Sequence, residues 1–233
     1  MPDRFVISRH PIASPMASPP FPIDTVLDRV ETAIADFRPA AMFELKQLGY
    51  DSLYEQLVSC IISIRTYDEV STPVSVKLFE RARTPQAMVQ LSEAELTELI
   101  KESTYPSQKA SNILRLSQQI IDDYGGETPA DFDRLTAFKG VGPKCANLAL
   151  GVALDYPAIS VDVHVHRITN RWGYVATKTP EKTMKALEDK LPRQHWVRIN
   201  RLLVPFGKHI CRGRYPKCAI CPVRTWCARV GVA

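Results

Sequence analysis

Leu135-Thr136-Ala137-Phe138-Lys139-Gly140-Val141-Gly142-Pro143-Lys144-Cys145-Ala146 is the stretch on which the reading of this chain turns. A short helix through Phe132 and Leu135 runs into a tight glycine turn. A second helix then opens with Pro143 at its first position and continues through Ala146, Leu150 and Leu154. With no Cβ, Gly140 and Gly142 let backbone N–H groups come close to a partner. Those groups sit at a helix N-terminus, where an anion such as a DNA phosphate is favoured. Lys144 falls in the first turn of the second helix, beside the positive end of the dipole, which disfavours its ammonium. A lysine so placed can attack carbon as a neutral amine. Taken alone, the glycines also suit a plain interhelical turn, and Lys144 also suits a solvated lysine that adds phosphate affinity.

Outward from this hairpin the chain reads as helix after helix. Asp24 is the expected cap of a helix through Val26, Leu27, Val30 and Ile34. Leu53, Leu57, Ile61 and Ile64 recur at helical spacing, as do Val70, Val74 and Leu78. Thr84-Pro85 opens a segment, Ser92-x-x-Glu95 is a capping box, Ser107 is placed to cap the helix of Ile113 and Ile120, and Gly125-Gly126 stops it. One segment breaks the pattern. Ile159, Val161, Val163 and Val165 alternate with Ser160, Asp162, His164 and His166, and that period of two predicts a strand. Asp162 within it suits an N-cap, a salt-bridge partner or a catalytic carboxylate.

Composition narrows the class. Of 233 residues, 45% are hydrophobic and 24% charged, an ordinary globular balance. No apolar run reaches the length a membrane helix needs, and residues 1–30 lack the apolar stretch of a secretory signal. A cytoplasmic protein is therefore expected, nucleoid-associated if bacterial. The net charge of +5 is unevenly spread: Lys190 to Ala233 holds ten Lys or Arg and no Asp or Glu. A polyanion partner follows, nucleic acid ahead of membrane. Six prolines fall in residues 1–22, so an extended or disordered tail is expected there. Of six cysteines, Cys211, Cys218, Cys221 and Cys227 fall at spacings of six, two and five intervening residues, which suits one four-thiolate metal site. Spacing alone leaves zinc and iron–sulfur both open. In a reducing compartment disulfides are not expected. Cys60 then reads as inert core and Cys145 as helix packing.

Three of these features, taken in order, resemble the endonuclease III family of DNA glycosylases. Gly140-Val141-Gly142-Pro143-Lys144 is similar to its helix-hairpin-helix, Val161-Asp162-Val163-His164 to its Val-Asp-x-His, and the four-cysteine loop to its [4Fe-4S] loop. The resemblance covers roughly residues 24–230. It implies an all-α fold of two helical domains flanking a DNA-binding groove. A Pro-rich tail (1–23) would precede a helix (24–45) that packs with the cluster domain (157–233), and a six-helix barrel would occupy 46–156. It also overrules the strand: Asp162 would cap a helix beginning at Val163. The implied activity is base excision of oxidised pyrimidines, with Lys144 attacking the sugar, Asp162 stabilising the cationic sugar, and β-elimination nicking the strand. The relatives that only hydrolyse the glycosidic bond lack this lysine. The implied cofactor is a [4Fe-4S] cluster on the four cysteines. The implied partner is double-stranded DNA with damaged pyrimidines or abasic sites, bound by a monomer. Arg212, Arg214 and Lys217 would meet phosphates, as would the hairpin backbone at Gly140, Val141 and Gly142. Three departures stand out: Arg65 where the family has glutamine, Thr104-Tyr105-Pro106 where it has Gly-Leu-Tyr, and Thr136 where glutamate is frequent. Arg65 and Tyr105 are thus candidates to enter the gap left by a flipped nucleotide. A metal-stapled DNA-binding protein without lyase activity and a monofunctional glycosylase are the competing readings.

Overall fold

The computed structural model describes residues 20–232, and most of the Pro-rich tail lies outside them. Among the described residues there are twelve α-helices, three 3₁₀ turns and no strand. The helices are α1 (Ile23–Ala33), α2 (Ala41–Gln47), α3 (Leu53–Ser63), α4 (Asp68–Arg81), α5 (Pro85–Met88), α6 (Glu93–Leu99), α7 (Pro106–Tyr124), α8 (Phe132–Ala137), α9 (Pro143–Leu154), α10 (Val163–Arg171), α11 (Pro180–Lys190) and α12 (Trp196–His209).

Local chemistry sets several of the boundaries. Ser52 and Ser92 each close a reciprocal capping box with the glutamate three residues on, Glu55 and Glu95. Thr84 accepts from the Ala87 N–H at 3.2 Å. Gly125 ends α7 in the left-handed conformation. Two caps expected from the sequence fall elsewhere. Helix α1 begins at Ile23, two residues earlier than a helix capped by Asp24, so Asp24 lies in its first turn and pairs with His195 Nε2 at 2.7 Å. Helix α7 begins at Pro106 after a left-handed Tyr105, so Ser107 lies inside it. The alternating stretch 159–165 is not a strand. Residues 155–162 are non-helical, and α10 starts at Val163. The alternation arises because Ile159 and Val161 are buried in the extended run while Val165 is buried on the inner face of the helix that follows.

Two apolar cores form. One is built from α2 through α9, with Leu57, Ile61, Leu78, Phe79, Leu96 and Phe138 inside. The other joins α1 to α10, α11 and α12, with Val26, Leu27, Ile168, Trp172, Leu203 and Phe206 inside. The N-terminal helix thus packs with the C-terminal part of the chain. It is also tied by charge, as Arg198 pairs with Asp28 at 2.7 Å and both Arg198 and Arg201 pair with Glu31. The cysteine expectation needs correction at α3 and α9. Cys60 and Cys145 are joined as a disulfide, with Cα atoms 5.7 Å apart. Their positions on the facing sides of two tightly packed helices bring them together, and 85 residues of sequence separation hid the pairing.

Candidate active site and nucleic-acid interface

Helices α9 and α10 both start at a cavity of about 640 Å³ between the two cores, and both Lys144 and Asp162 line it. Lys144 is exposed at the second position of α9. The peptide N–H groups of this first turn have no partner within the helix, so positive potential converges where the amine stands. Asp162 is the N-cap of α10, and its Oδ1 accepts from the N–H groups of His164 and Val165, both at 2.9 Å. Both bonds use the same oxygen, which leaves Oδ2 as an acceptor for a ligand. The cap and catalytic readings of Asp162 are therefore compatible, since capping fixes where the charge sits.

Other groups complete the wall. Lys208 reaches from α12 to Asp68 at 2.9 Å and Glu69 at 3.1 Å at the start of α4, bridging the two sides of the cavity. Burial alone would lower its pKa, but the two carboxylates more than offset this and hold it above the usual lysine value. His164 is pushed below the usual histidine value by burial, with Asp162 pulling the other way and Arg167 adding to the depression. Its Nδ1 lies 3.1 Å from Arg167 Nη2, which can only donate, so the neutral ring carries its proton on Nε2. Lys208 and Asp68 were not legible as site residues, because their meeting depends on α12 crossing to α4.

The hairpin shows a division of labour. Gly140 has φ +93°, and a Cβ there would stand 2.8 Å from Asn112 Nδ2. Gly142 has ordinary φ and only open space where a Cβ would go. Val141 is 6% exposed, and its N–H is spent on the Phe138 carbonyl at 3.1 Å. Val141 therefore holds the turn from within, and the open approach lies over Gly142.

Arg65 and Tyr105 stand at the tips of adjoining loops, both exposed and both left-handed, at φ 56° and 54°. Arg65 lines the cavity, while Tyr105 stands beside it on the neighbouring loop. Non-glycine residues in this region are strained, and such strain is concentrated at binding sites.

The cysteine loop follows α12. Cys211, Cys218, Cys221 and Cys227 are half-buried, unbridged, and line one hollow with Arg171. Burial pushes the Cys221 and Cys227 thiols up, and the neighbouring thiols push the same way. Arg171 Nη1 lies 3.5 Å from Cys211 Sγ, and the Arg229 N–H lies 3.4 Å from Cys227 Sγ. A four-thiolate set with nearby cationic and N–H donors fits an iron–sulfur cluster, whose negative charge such donors stabilise. Among the described residues no three metal-ligating side chains converge closely enough to chelate a single ion. Arg167 and Arg171 of α10 also hold the end of α12 and the backbone of this loop, donating to the carbonyls of Gly207 in α12 and of Cys211, Arg212 and Gly213 in the loop at 2.6–3.0 Å. Arg212, Arg214 and Lys217 are exposed on the loop. A larger cavity, about 760 Å³, lies at the far ends of α9 and α12. Two of its cations, Arg198 and Arg201, are already paired to acids of α1, and it holds neither Lys144 nor Asp162.

Residues 58–193 match the family model described as HhH-GPD superfamily base excision DNA repair protein. The chain is 42% identical over 174 residues to Endonuclease III of Thermotoga maritima, covering 75% of this chain and 82% of the relative. It is 35% identical to Endonuclease III of Bacillus subtilis, covering 83% and 88%. Among solved structures, a non-covalent Endonuclease III–DNA complex superposes with a TM-score of 0.78 at 30% identity, covering 89% of this chain and 94% of that one. A trapped Endonuclease III–DNA covalent intermediate gives 0.76 at 29% identity, with the same coverage. Fold and comparisons together define a helix-hairpin-helix enzyme of base excision repair, with a DNA glycosylase/AP lyase role. Within that superfamily the chain belongs to the endonuclease III family. This excludes a DNA-binding protein without catalysis, one of the readings the sequence had left open.

Proposed function

We propose that this enzyme removes oxidised pyrimidines from double-stranded DNA and then nicks the strand at the abasic site. The observation that carries this reading is the placement of Lys144 and Asp162 at two helix N-termini on one cavity. The damaged nucleotide turns out of the stack into that cavity. The neutral amine of Lys144 attacks C1′, a new C–N bond forms, and the C1′–base bond breaks with its electron pair leaving on the base. The base takes up a proton, and ring opening of the sugar gives the Schiff base. Loss of a C2′ proton then expels the 3′ phosphate by β-elimination. Asp162, negative and fixed by its two N–H donors, stabilises the positive charge that develops at the sugar. The partial positive charge of the two helix ends favours the flanking phosphates.

Borohydride reduction during turnover is the test. Wild type should be trapped covalently on DNA, and Lys144→Ala should give no adduct while still binding. Asp162→Asn keeps an oxygen for the cap but loses the charge, so it should bind DNA and lose most turnover. Adduct formation in Lys144→Ala would reassign the nucleophile, and base release without any adduct in wild type would mean a monofunctional glycosylase.

Cys211, Cys218, Cys221 and Cys227 hold a [4Fe-4S] cluster in this reading, supported by the donor set around their shared hollow. The cluster supplies a structural core for the loop and takes no part in bond cleavage. Purified protein should contain four irons per chain and absorb in the visible, whereas one zinc per colourless chain would replace the cluster with a mononuclear site.

A further inference from the structure

The two exposed loop tips are fastened together by one buried cation. Lys109, in the first turns of α7, is 5% exposed, and no carboxylate is its partner among the described residues. Its ammonium has three protons and faces four oxygens: the carbonyls of Ile62 at 2.6 Å and Ile64 at 2.9 Å, Thr66 Oγ1 at 2.9 Å and Thr104 Oγ1 at 3.3 Å. The two carbonyls belong to the end of α3, whose last C=O groups lack partners within the helix and favour a cation. Thr66 and Thr104 flank the two tips and lock onto each other. Their hydroxyls are 3.0 Å apart, the Thr104 N–H donates to Thr66 Oγ1 at 3.1 Å, and Thr104 Oγ1 donates to the Ile64 carbonyl at 3.0 Å.

This cluster lies directly beneath two strained residues. Arg65 is the neighbour of both Ile64 and Thr66, and Tyr105 follows Thr104; both tips are left-handed. A left-handed non-glycine residue persists only where its surroundings over-determine it. Lys109 and its four acceptors supply that constraint from one point, and of these groups only Thr66 also lines the cavity. We propose that Lys109 is a positioning residue: it couples the 64–67 and 103–106 loops into one rigid unit, so that Arg65 and Tyr105 enter the duplex together. The proposal rests on the reading that these two tips fill the space left by the flipped nucleotide. Neither the cavity chemistry nor the hairpin requires it.

The test uses full-length protein and two substrates, a duplex with one abasic site and a single-stranded oligonucleotide with the same site. Single-stranded DNA has no paired stack to fill, so it reports Lys144 chemistry without the loops. Lys109→Met should lower kcat/KM on the duplex roughly 10- to 100-fold, the loss expected when reacting groups are misplaced by about 1 Å. Cleavage of the single strand should stay near wild type. Thr104→Val removes one acceptor and the link to Ile64 while keeping the ammonium, and should show the same split in milder form; it decides the matter if Lys109→Met fails to fold. Arg65→Ala and Tyr105→Ala should be non-additive on the duplex in the wild-type background and additive with Lys109→Met already present. Equal losses on both substrates, or wild-type duplex cleavage by Lys109→Met alongside defective tip variants, would overturn the coupling while leaving the loop reading intact. Tip variants that cleave every duplex normally would instead remove the loop reading, and the proposal with it.

Discussion

At the scale of single residues, the two glycines of the hairpin serve different ends, and substitution should separate them. Gly140 occupies a backbone region that L-residues avoid, with Asn112 close by. Gly140→Ala should destabilise the fold by about 1–3 kcal/mol, seen as a lower melting temperature. Gly142 has ordinary φ, and nothing lies within 4 Å of where a Cβ would point. Gly142→Ala should melt like wild type and bind duplex DNA more weakly, because the methyl group occupies the space a phosphate needs to reach the α9 N–H groups. Equal binding by Gly142→Ala would show that DNA does not approach the hairpin there.

Helix ends are the elements that organise the site. Helix α9 presents Lys144, α10 presents Asp162, and the end of α3 receives Lys109. Burial pushes Lys109 down to about 8, against 10.5 for an ordinary lysine. The sign follows from where the protons bind. Between about pH 8 and 10.5 the unfolded chain holds a proton on this lysine more firmly than the folded chain does. Stability therefore rises with pH across that window from this group, and below pH 8 its contribution is constant. Unfolding free energies measured across that range should show an upward component in wild type that Lys109→Met lacks. Identical pH profiles for the two proteins would mean that the lysine is not desolvated as the structure has it.

At the scale of the whole molecule, charge is spent in two ways. Arg198, Arg201 and Lys208 of the basic C-terminal block pair with acids of α1 and α4, so they join the parts of the fold. Arg212, Arg214, Lys217, Arg224 and Arg229 of the cysteine loop are exposed. If those five meet phosphates, the slope of log K against log salt is about −4.5. Substituting Arg214 and Lys217 by alanine should bring it to about −2.7, read from binding isotherms between roughly 50 and 200 mM salt. An unchanged slope would move the DNA contacts off this loop. The Cys60–Cys145 crosslink also acts at this scale. It closes a long loop and ties the residue next to Lys144 to α3. In the chain-entropy model a loop of that length is worth about 4–5 kcal/mol.

What the sequence determined by itself is local or strictly ordered along the chain. The helical period, the capping box at Ser92 and the proline after Gly142 are set by neighbours a few residues apart, so they read directly from the string. The hairpin, the Val-Asp-x-His and the four cysteines were recognisable because each is short and they come in a fixed order. The stretch 159–165 misled, because period two describes which side chains are apolar and not which way the backbone turns. Asp162 decides that by satisfying two N–H groups at once. Only the tertiary structure joined Cys60 to Cys145, set Lys208 against Asp68 and Glu69, divided the basic block into paired and exposed members, and gathered four oxygens around Lys109. Each of these joins groups far apart in sequence. Such pairings depend on how helices cross, and that is fixed by packing of the cores and carries no periodic signature along the chain.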